Sequence, residues 1–243
     1  MRPKHMLRAV GVMALLAACA SVRAQAPQSE PSSPRPPTAS TVTFSLEWPG
    51  VEPHHYVITA DSNGDTVYRS WTAEPNGSSG DGDPYVRTLT LSVTARDRIF
   101  ALARQLSYFN GDFEFHKHRV AFTGDKTLAY SDPEKRYETR YNWSEKAGIS
   151  ELTTLFEGIS ATIESGRRLE RLYRFDRLGL DEELKNLERL TTEHQATELR
   201  LIAPILERLA SDAGVMNIAR QRARHLLQMA GPPSPGNDQP AHQ

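Results

Sequence analysis

Two histidines two residues apart, His116 and His118, are the residues of this 243-residue chain whose type and spacing first suggest chemistry. On a β-strand, residues i and i+2 point to one face. Two imidazoles on one face make half of a tetrahedral zinc site, and a hydrolytic zinc needs a third protein ligand and an open position for water. No third ligand lies nearby in the chain, and His54, His55 or Glu114 could join only through the fold. The pair therefore reads as exposed strand histidines, with a metal-dependent hydrolase using His116 and His118 as the alternative. Asp61-Ser62-Asn63-Gly64-Asp65 opens like a calcium loop, but an EF-hand needs Gly at position six and Glu at position twelve. Here Gly64 is fourth and Thr72 twelfth, so a hairpin turn fits better. Asp81-Gly82-Asp83 reads as solvated linker. Arg167, Arg168, Arg171 and Arg174 crowd one helical stretch, and Arg220, Arg222 and Arg224 another. Either group could bind an anionic lipid headgroup or polymer. The interleaved Glu164, Glu170 and Asp176 offer the other outcome, surface ion pairs.

Other catalytic signatures are missing from the sequence. It has no Gly-x-Ser-x-Gly, no His-Glu-x-x-His and no glycine-rich phosphate cradle. The single cysteine, Cys19, lies too early to serve a folded body as nucleophile and permits no internal disulfide. No cofactor is implied. Without the first 18 residues, which hold Arg2, Lys4 and Arg8 and no acid, 26 Lys and Arg face 30 acids, a net charge of −4. A general nucleic-acid binder needs a basic footprint to neutralise phosphates, so no nucleic-acid partner is expected.

Cys19 has a different context. Residues 1–8 are cationic, and residues 9–20, AVGVMALLAACA, are apolar but too few to span a bilayer as a helix, which needs ~20 residues. That is an export signal. Leu16-Ala17-Ala18-Cys19 resembles a bacterial lipobox, in which the cysteine thiol is lipidated and becomes the new N-terminus. The resemblance implies membrane attachment through a lipid anchor, and outer-membrane sorting because Ala20 is not Asp. Val22-Arg23-Ala24 offers a second cleavage, before Gln25, with small residues at the −3 and −1 positions. Residues 25–41, with Pro27, Pro31, Pro34, Pro36 and Pro37, read as a semi-stiff spacer. Residues 231–243 read as a disordered tail.

The elements that must position these residues divide the body in two. Residues 42–48, 55–61, 65–71 and 85–93 alternate as strands, and Asn63-Gly64 is a hairpin signal. Thr94-x-x-Asp97 resembles a capping box and starts a helix with Ile99, Leu102, Ala103 and Leu106 on one face. Residues 113–122, 126–131 and 136–143 are β-prone. Tyr56, Tyr68, Trp71, Tyr85 and Trp143 could line one sheet face, as core or as a sugar- or peptide-binding surface. From Ser150 the period becomes helical, with a stripe at Leu152, Leu155, Phe156, Ile159 and Ile163 that continues through Leu169, Leu172 and Phe175. Asp181 is placed to cap the next helix. Pro204 forces a kink or a new first turn. The last helix, 215–229, carries Ile218, Ala219, Ala223 and Leu226 on its apolar face, and forms a HEAT-like hairpin with the segment before it.

The expected fold class is α+β: a largely antiparallel sheet with one or two packed helices, followed by a small helical bundle. The expected divisions are 1–24 signal peptide and lipobox, 25–41 tether, 42–165 α+β domain, 166–230 helical region and 231–243 tail. Tyr56-Val57-Ile58-Thr59-Ala60 and Gly64-Asp65-Thr66-Val67-Tyr68, followed by a helix, resemble an uncharacterised exported bacterial domain of unknown function. That family's cysteines before the first strand are absent here. The resemblance implies an envelope location and supplies no activity. The expected function is a non-catalytic, periplasmic-facing envelope lipoprotein that acts as a binding module, with an envelope protein as possible partner.

Overall fold

The computed structural model describes residues 39–72 and 84–231. By its contacts the chain divides into units of residues 1–35 and 36–243, and every described residue belongs to the second. The leader with Cys19, nearly all of the tether, the loop at 73–83 and the tail from 232 lie outside the described residues.

Six strands make one antiparallel sheet: β1 (Thr41–Glu47), β2 (His55–Asp61), β3 (Asp65–Trp71), β4 (Tyr85–Thr90), β5 (Asp125–Ser131) and β6 (Arg136–Tyr141), in the order β4-β3-β2-β1-β5-β6. With five α-helices among the described residues, the fold is α+β. Alternation in the sequence sets the faces. Val42, Phe44 and Leu46 of β1, Tyr56, Ile58 and Ala60 of β2, and Thr66, Tyr68 and Ser70 of β3 are buried, while their neighbours are at least partly exposed. The first strand among the described residues, β1, is a central one, paired along all seven residues with β2 on one side and β5 on the other. At the β2–β3 turn Gly64 takes φ +98°, which suits glycine. One oxygen of the Asp61 carboxylate accepts the N–H groups of Asn63 (2.8 Å) and Asp65 (2.9 Å), so the stretch is a hairpin turn.

Helix α1 (Val93–Gln105) is capped by Ser92 rather than started at Thr94. The Ser92 hydroxyl accepts the Ala95 N–H at 3.1 Å, and in turn donates to the Glu198 carboxylate at 2.8 Å. A capping partner 106 residues away is invisible to a local pattern. Residues 113–122 form no strand. Asp112 accepts the Glu114 N–H at 3.0 Å and turns the chain, and Asn142 takes the place of a ladder by bonding Thr123 (2.6 Å) and the Ala121 carbonyl (2.9 Å).

Helix α2 (Ala147–Phe175) has 29 residues, about 44 Å of length. It crosses the strands instead of following them. Thr153 meets Tyr141 of β6, Phe156 stacks on Phe44 of β1 at 5.2 Å, and Ser160 bonds Tyr68 of β3. Glu164 reaches Ser70 of β3, and Arg167 lies over Tyr85 of β4. Each helical turn rises ~5.4 Å and each strand step is ~4.8 Å, so successive turns meet successive strands.

Beyond the β4 edge, the end of α2 joins α3 (Leu180–Thr192), a short 3₁₀ turn (Leu199–Ile202), α4 (Ala203–Ser211) and α5 (Asn217–Met229). Their core is aliphatic: Leu169, Leu180, Leu184, Leu187, Ile205, Leu206, Leu209 and Leu226 are buried there. Pro204 sits in the first turn of α4, where its missing N–H has no helical partner to lose. Gly158 and Gly166 let the 197–202 segment approach α2: a Cβ on Gly158 would lie 2.9 Å from the Thr197 hydroxyl, and one on Gly166 would clash with Ile202. Three expectations are corrected here. Asp181 does not cap α3; Asp176 accepts the Gly179 N–H one turn earlier. Phe175 and Ile218 do not extend the apolar faces, because they are 81% and 48% exposed.

Candidate functional site

A polar row crosses the helix-facing side of the sheet. The strand registers align Ser70, Tyr56, Leu46, Lys126 and Tyr141 across β3, β2, β1, β5 and β6. Against it α2 places Thr153, Glu157, Ser160 and Glu164, polar positions spaced four, three and four apart beside its apolar stripe. The Glu164 carboxylate is buried and accepts the Tyr68 hydroxyl at 2.9 Å and the Ser70 hydroxyl at 2.6 Å. The Arg167 guanidinium stands 3.6 Å from its second oxygen and 4.5 Å from the Tyr85 ring centre. Burial pushes the Tyr68 phenol well above its ordinary value, and the nearby Glu164 charge adds to that. Tyr56 and Tyr141 are raised for the same first reason. These phenols stay protonated, and Tyr68 donates to Glu164.

Lys126 faces inward and is buried. Its ammonium donates to the carbonyls of Thr123 (2.6 Å), Asn142 (3.0 Å) and Gly124 (3.3 Å), and to the Thr123 hydroxyl (3.0 Å). It stitches the end of the 111–124 loop to the end of β6. Burial lowers its pKa, against the opposing charges of Glu157, Asp125 and Glu114. Glu157 is the one carboxylate of the seam that makes no hydrogen bond with the described residues, and burial raises its pKa against the pull of Lys126. Tyr68, Ser70, Ser160 and Glu164 bond one another, as do Tyr141 and Thr153, as in a structural interface. The sequence carried two signals for it that went unread. One is the polar stripe on α2; the other is the alternation Lys126, Leu128, Tyr130, which points Lys126 inward.

The residues singled out from the sequence are scattered. His116 and His118 stand in the loop rather than on a strand: His116 bonds the Asp112 carboxylate at 2.9 Å, and the His118 ring packs edge-on against Phe115 at 4.7 Å. Among the described residues, no group of three or more His, Cys, Asp or Glu side chains could hold a metal ion. The five aromatics do not share a face. Tyr56 and Tyr68 are buried under α2, Tyr85 lies half-buried against Arg167, Trp71 is on the opposite face, and Trp143 follows β6. Of the arginines, Arg167 is engaged as above, and Arg168 bonds Glu183 (3.0 Å) and Ser165 (3.0 Å). Arg222 pairs with Asp181 and Glu188. Arg171 and Arg174 are exposed and have no ion-pair or hydrogen-bond partner among the described residues.

Antiparallel topology gathers all three tryptophans at one end of the sheet. Trp48 follows β1, Trp71 ends β3 and Trp143 follows β6. His55 stacks on Trp71 at 4.5 Å. Trp143 packs edge-on to Phe115 at 4.8 Å, and Lys117 lies 5.9 Å over the Phe115 ring while bonding Glu145 at 2.7 Å. Trp143, Phe122 and Val51 remain 41%, 53% and 40% exposed. A shallow depression of about 360 Å³ opens between Gln105, Ser107, Asn110, Phe113, Lys146 and Gly148. Between β4, α2 and α4 the cavity is only about 20 Å³, room for a single water.

No family model matches the chain, and no curated protein matches it. No helix among the described residues is long and apolar enough to cross a membrane.

Proposed function

We propose that this chain is an exported, non-catalytic envelope lipoprotein, attached by a lipid on Cys19 and working as a binding module for an envelope protein. The reading starts from the lipobox resemblance at Leu16-Ala17-Ala18-Cys19 and the proline spacer after it. The observation that carries the binding role is the aromatic end of the sheet. Trp143 and Phe122 stand exposed there, with Phe115 packed edge-on against Trp143 and His118 edge-on against Phe115. Exposed aromatics held in place by neighbours lose little freedom on binding and are frequent interface anchors. In contrast, the buried Glu164 and Lys126 are committed to hydrogen bonds that join α2 to β3 and the 111–124 loop to β6, which favours a scaffold over a reaction centre.

The test has two readouts. Mass spectrometry of the mature N-terminus is expected to find acylated Cys19; a chain starting at Gln25 sinks the tether. A photo-crosslinking residue at position 122 in the native envelope is expected to trap one protein adduct that Trp143→Ser abolishes and Glu138→Ser leaves intact. No adduct, or one indifferent to Trp143, sinks the binding role.

A further inference from the structure

Phe175 and Leu178 are the most exposed large apolar side chains among the described residues, at 81% and 77%. They lie three residues apart on the corner between α2 and α3. The corner is firmly built. The Asp176 N–H donates to the Leu172 carbonyl at 2.8 Å, and Arg177 is held by Asp212 (3.2 Å), the Tyr173 carbonyl (3.2 Å) and the Tyr173 ring (4.6 Å). Asp212 also accepts the Tyr173 hydroxyl at 2.8 Å. The bond ties the corner to the α4–α5 turn, where Met216 and Ile218 are 40% and 48% exposed.

The charges around this corner are unequal in their commitments. Every acid from 170 to 183 is engaged: Glu170 with Arg87, Asp176 with the Gly179 N–H, Asp181 with Arg222, Glu182 with Lys185 and Glu183 with Arg168. Arg171 and Arg174, just before Phe175, have no ion-pair or hydrogen-bond partner among the described residues. A stable protein interface covers ~800 Å² on each partner, far more than a few protruding side chains offer. A lipid surface asks for less: apolar side chains at the acyl boundary and guanidinium groups at the phosphates.

We propose that the α2–α3 corner docks on an anionic phospholipid surface, with Phe175 and Leu178 inserted and Arg171 and Arg174 on lipid phosphates. For its location the proposal rests on the tethered-lipoprotein reading. Alone, so small a contact is marginal; beside an acyl anchor it becomes an intramolecular step. The stretch from Cys19 to Ala39 reaches at most ~70 Å, more than the ~44 Å length of α2. Docking there also turns the Trp143 cluster, next to the start of α2, away from the membrane.

The experiment places a fluorophore on Phe175→Cys in the mature chain as isolated, and on Glu138→Cys as a control on the opposite sheet face. Both N-terminal processing routes leave these as the only free thiols. On phosphatidylglycerol vesicles the label at 175 is expected to show apolar emission and strong quenching by brominated acyl chains. The expected quenching is several-fold weaker on phosphatidylcholine, absent at 138, and lowered on the order of fivefold by each of Arg171→Glu and Arg174→Glu. Water-like emission at 175 on both vesicles overturns the proposal. So does equal quenching at 138, or an apolar signal that forms by self-association without vesicles. The N-terminal mass of the same sample separates the two readings. Acylated chain with water-like 175 sinks the corner alone, and unacylated chain with quenched 175 sinks the tether alone.

Discussion

The part of α2 that lies on the sheet and the part that lies among α3–α5 bury the same helix by different means. On the sheet, aromatic rings and hydrogen-bonded polar groups alternate: Phe156 on Phe44, Ser160 and Glu164 on Tyr68 and Ser70, Thr153 on Tyr141. In the bundle the buried neighbours of Leu169 are aliphatic, with ion pairs such as Arg222–Asp181 at the partly exposed rim. Aliphatic packing tolerates sliding between near-equivalent arrangements. A hydrogen-bonded seam accepts one register, because a shifted helix would strand buried donors. Helix α2 is thus positioned by its polar contacts to the sheet, and the bundle hangs from its other end.

The largest expected effect tests the sheet side. Phe156→Ala should lower stability by about 4 kcal/mol in urea titration, whereas Phe156→Leu should recover most of it. Next comes Lys126→Met, which leaves the carbonyls of Thr123, Gly124 and Asn142 without their donor. A loss of about 2–3 kcal/mol is expected, with faster amide exchange confined to the neighbourhood of 111–126. The contrasting Arg222→Met in the bundle should cost about 1 kcal/mol or less, since its partners are partly exposed. If the two substitutions cost the same, the distinction between seam and bundle fails. Tyr68→Phe removes one donor from buried Glu164 and should cost about 1.5 kcal/mol. In the bundle, Leu184→Met conserves volume and should stay below about 1.5 kcal/mol, with the cooperativity of melting unchanged.

The smallest effect has the opposite sign. Burial holds Glu157 above the ordinary carboxyl value of 4.5. In the window between 4.5 and that raised value, the folded chain keeps a proton that the unfolded chain has released. Its contribution to stability is therefore whole below about 4.5 and is lost as pH rises through the raised value. Glu157→Gln should flatten this fall and leave the protein slightly more stable at pH 7. A steeper fall in the variant would show that the carboxylate is needed in its charged form.

Much of the fold was legible because it is written in short periods. The β2–β3 hairpin around Asn63-Gly64, the strand at 126–131 and the apolar stripe of α2 all follow from alternation or helical spacing. What was not legible depended on partners far away in the chain. Ser92 rather than Thr94 caps α1 because Glu198 reaches it. Residues 113–122 alternate like a strand, yet Asp112, Asn142 and Lys126 fold them into a loop. His116 and His118 lost their common face with that strand. Phe175 fits the helical period but stands past the point where anything covers it, and periodicity cannot tell a core position from an uncovered one.

The N-terminal strand lies in the middle of the sheet, and this has a mechanical consequence. Any tension drawn through the segment before Thr41 is delivered straight into β1, along the strand axis. Both seven-residue ladders flanking β1 then bear the load in shear, so their hydrogen bonds must yield together rather than one at a time. Attachment at an edge strand would instead let the sheet unzip from its border. A load applied through the N-terminal side of the body would therefore meet one of its sturdiest strands.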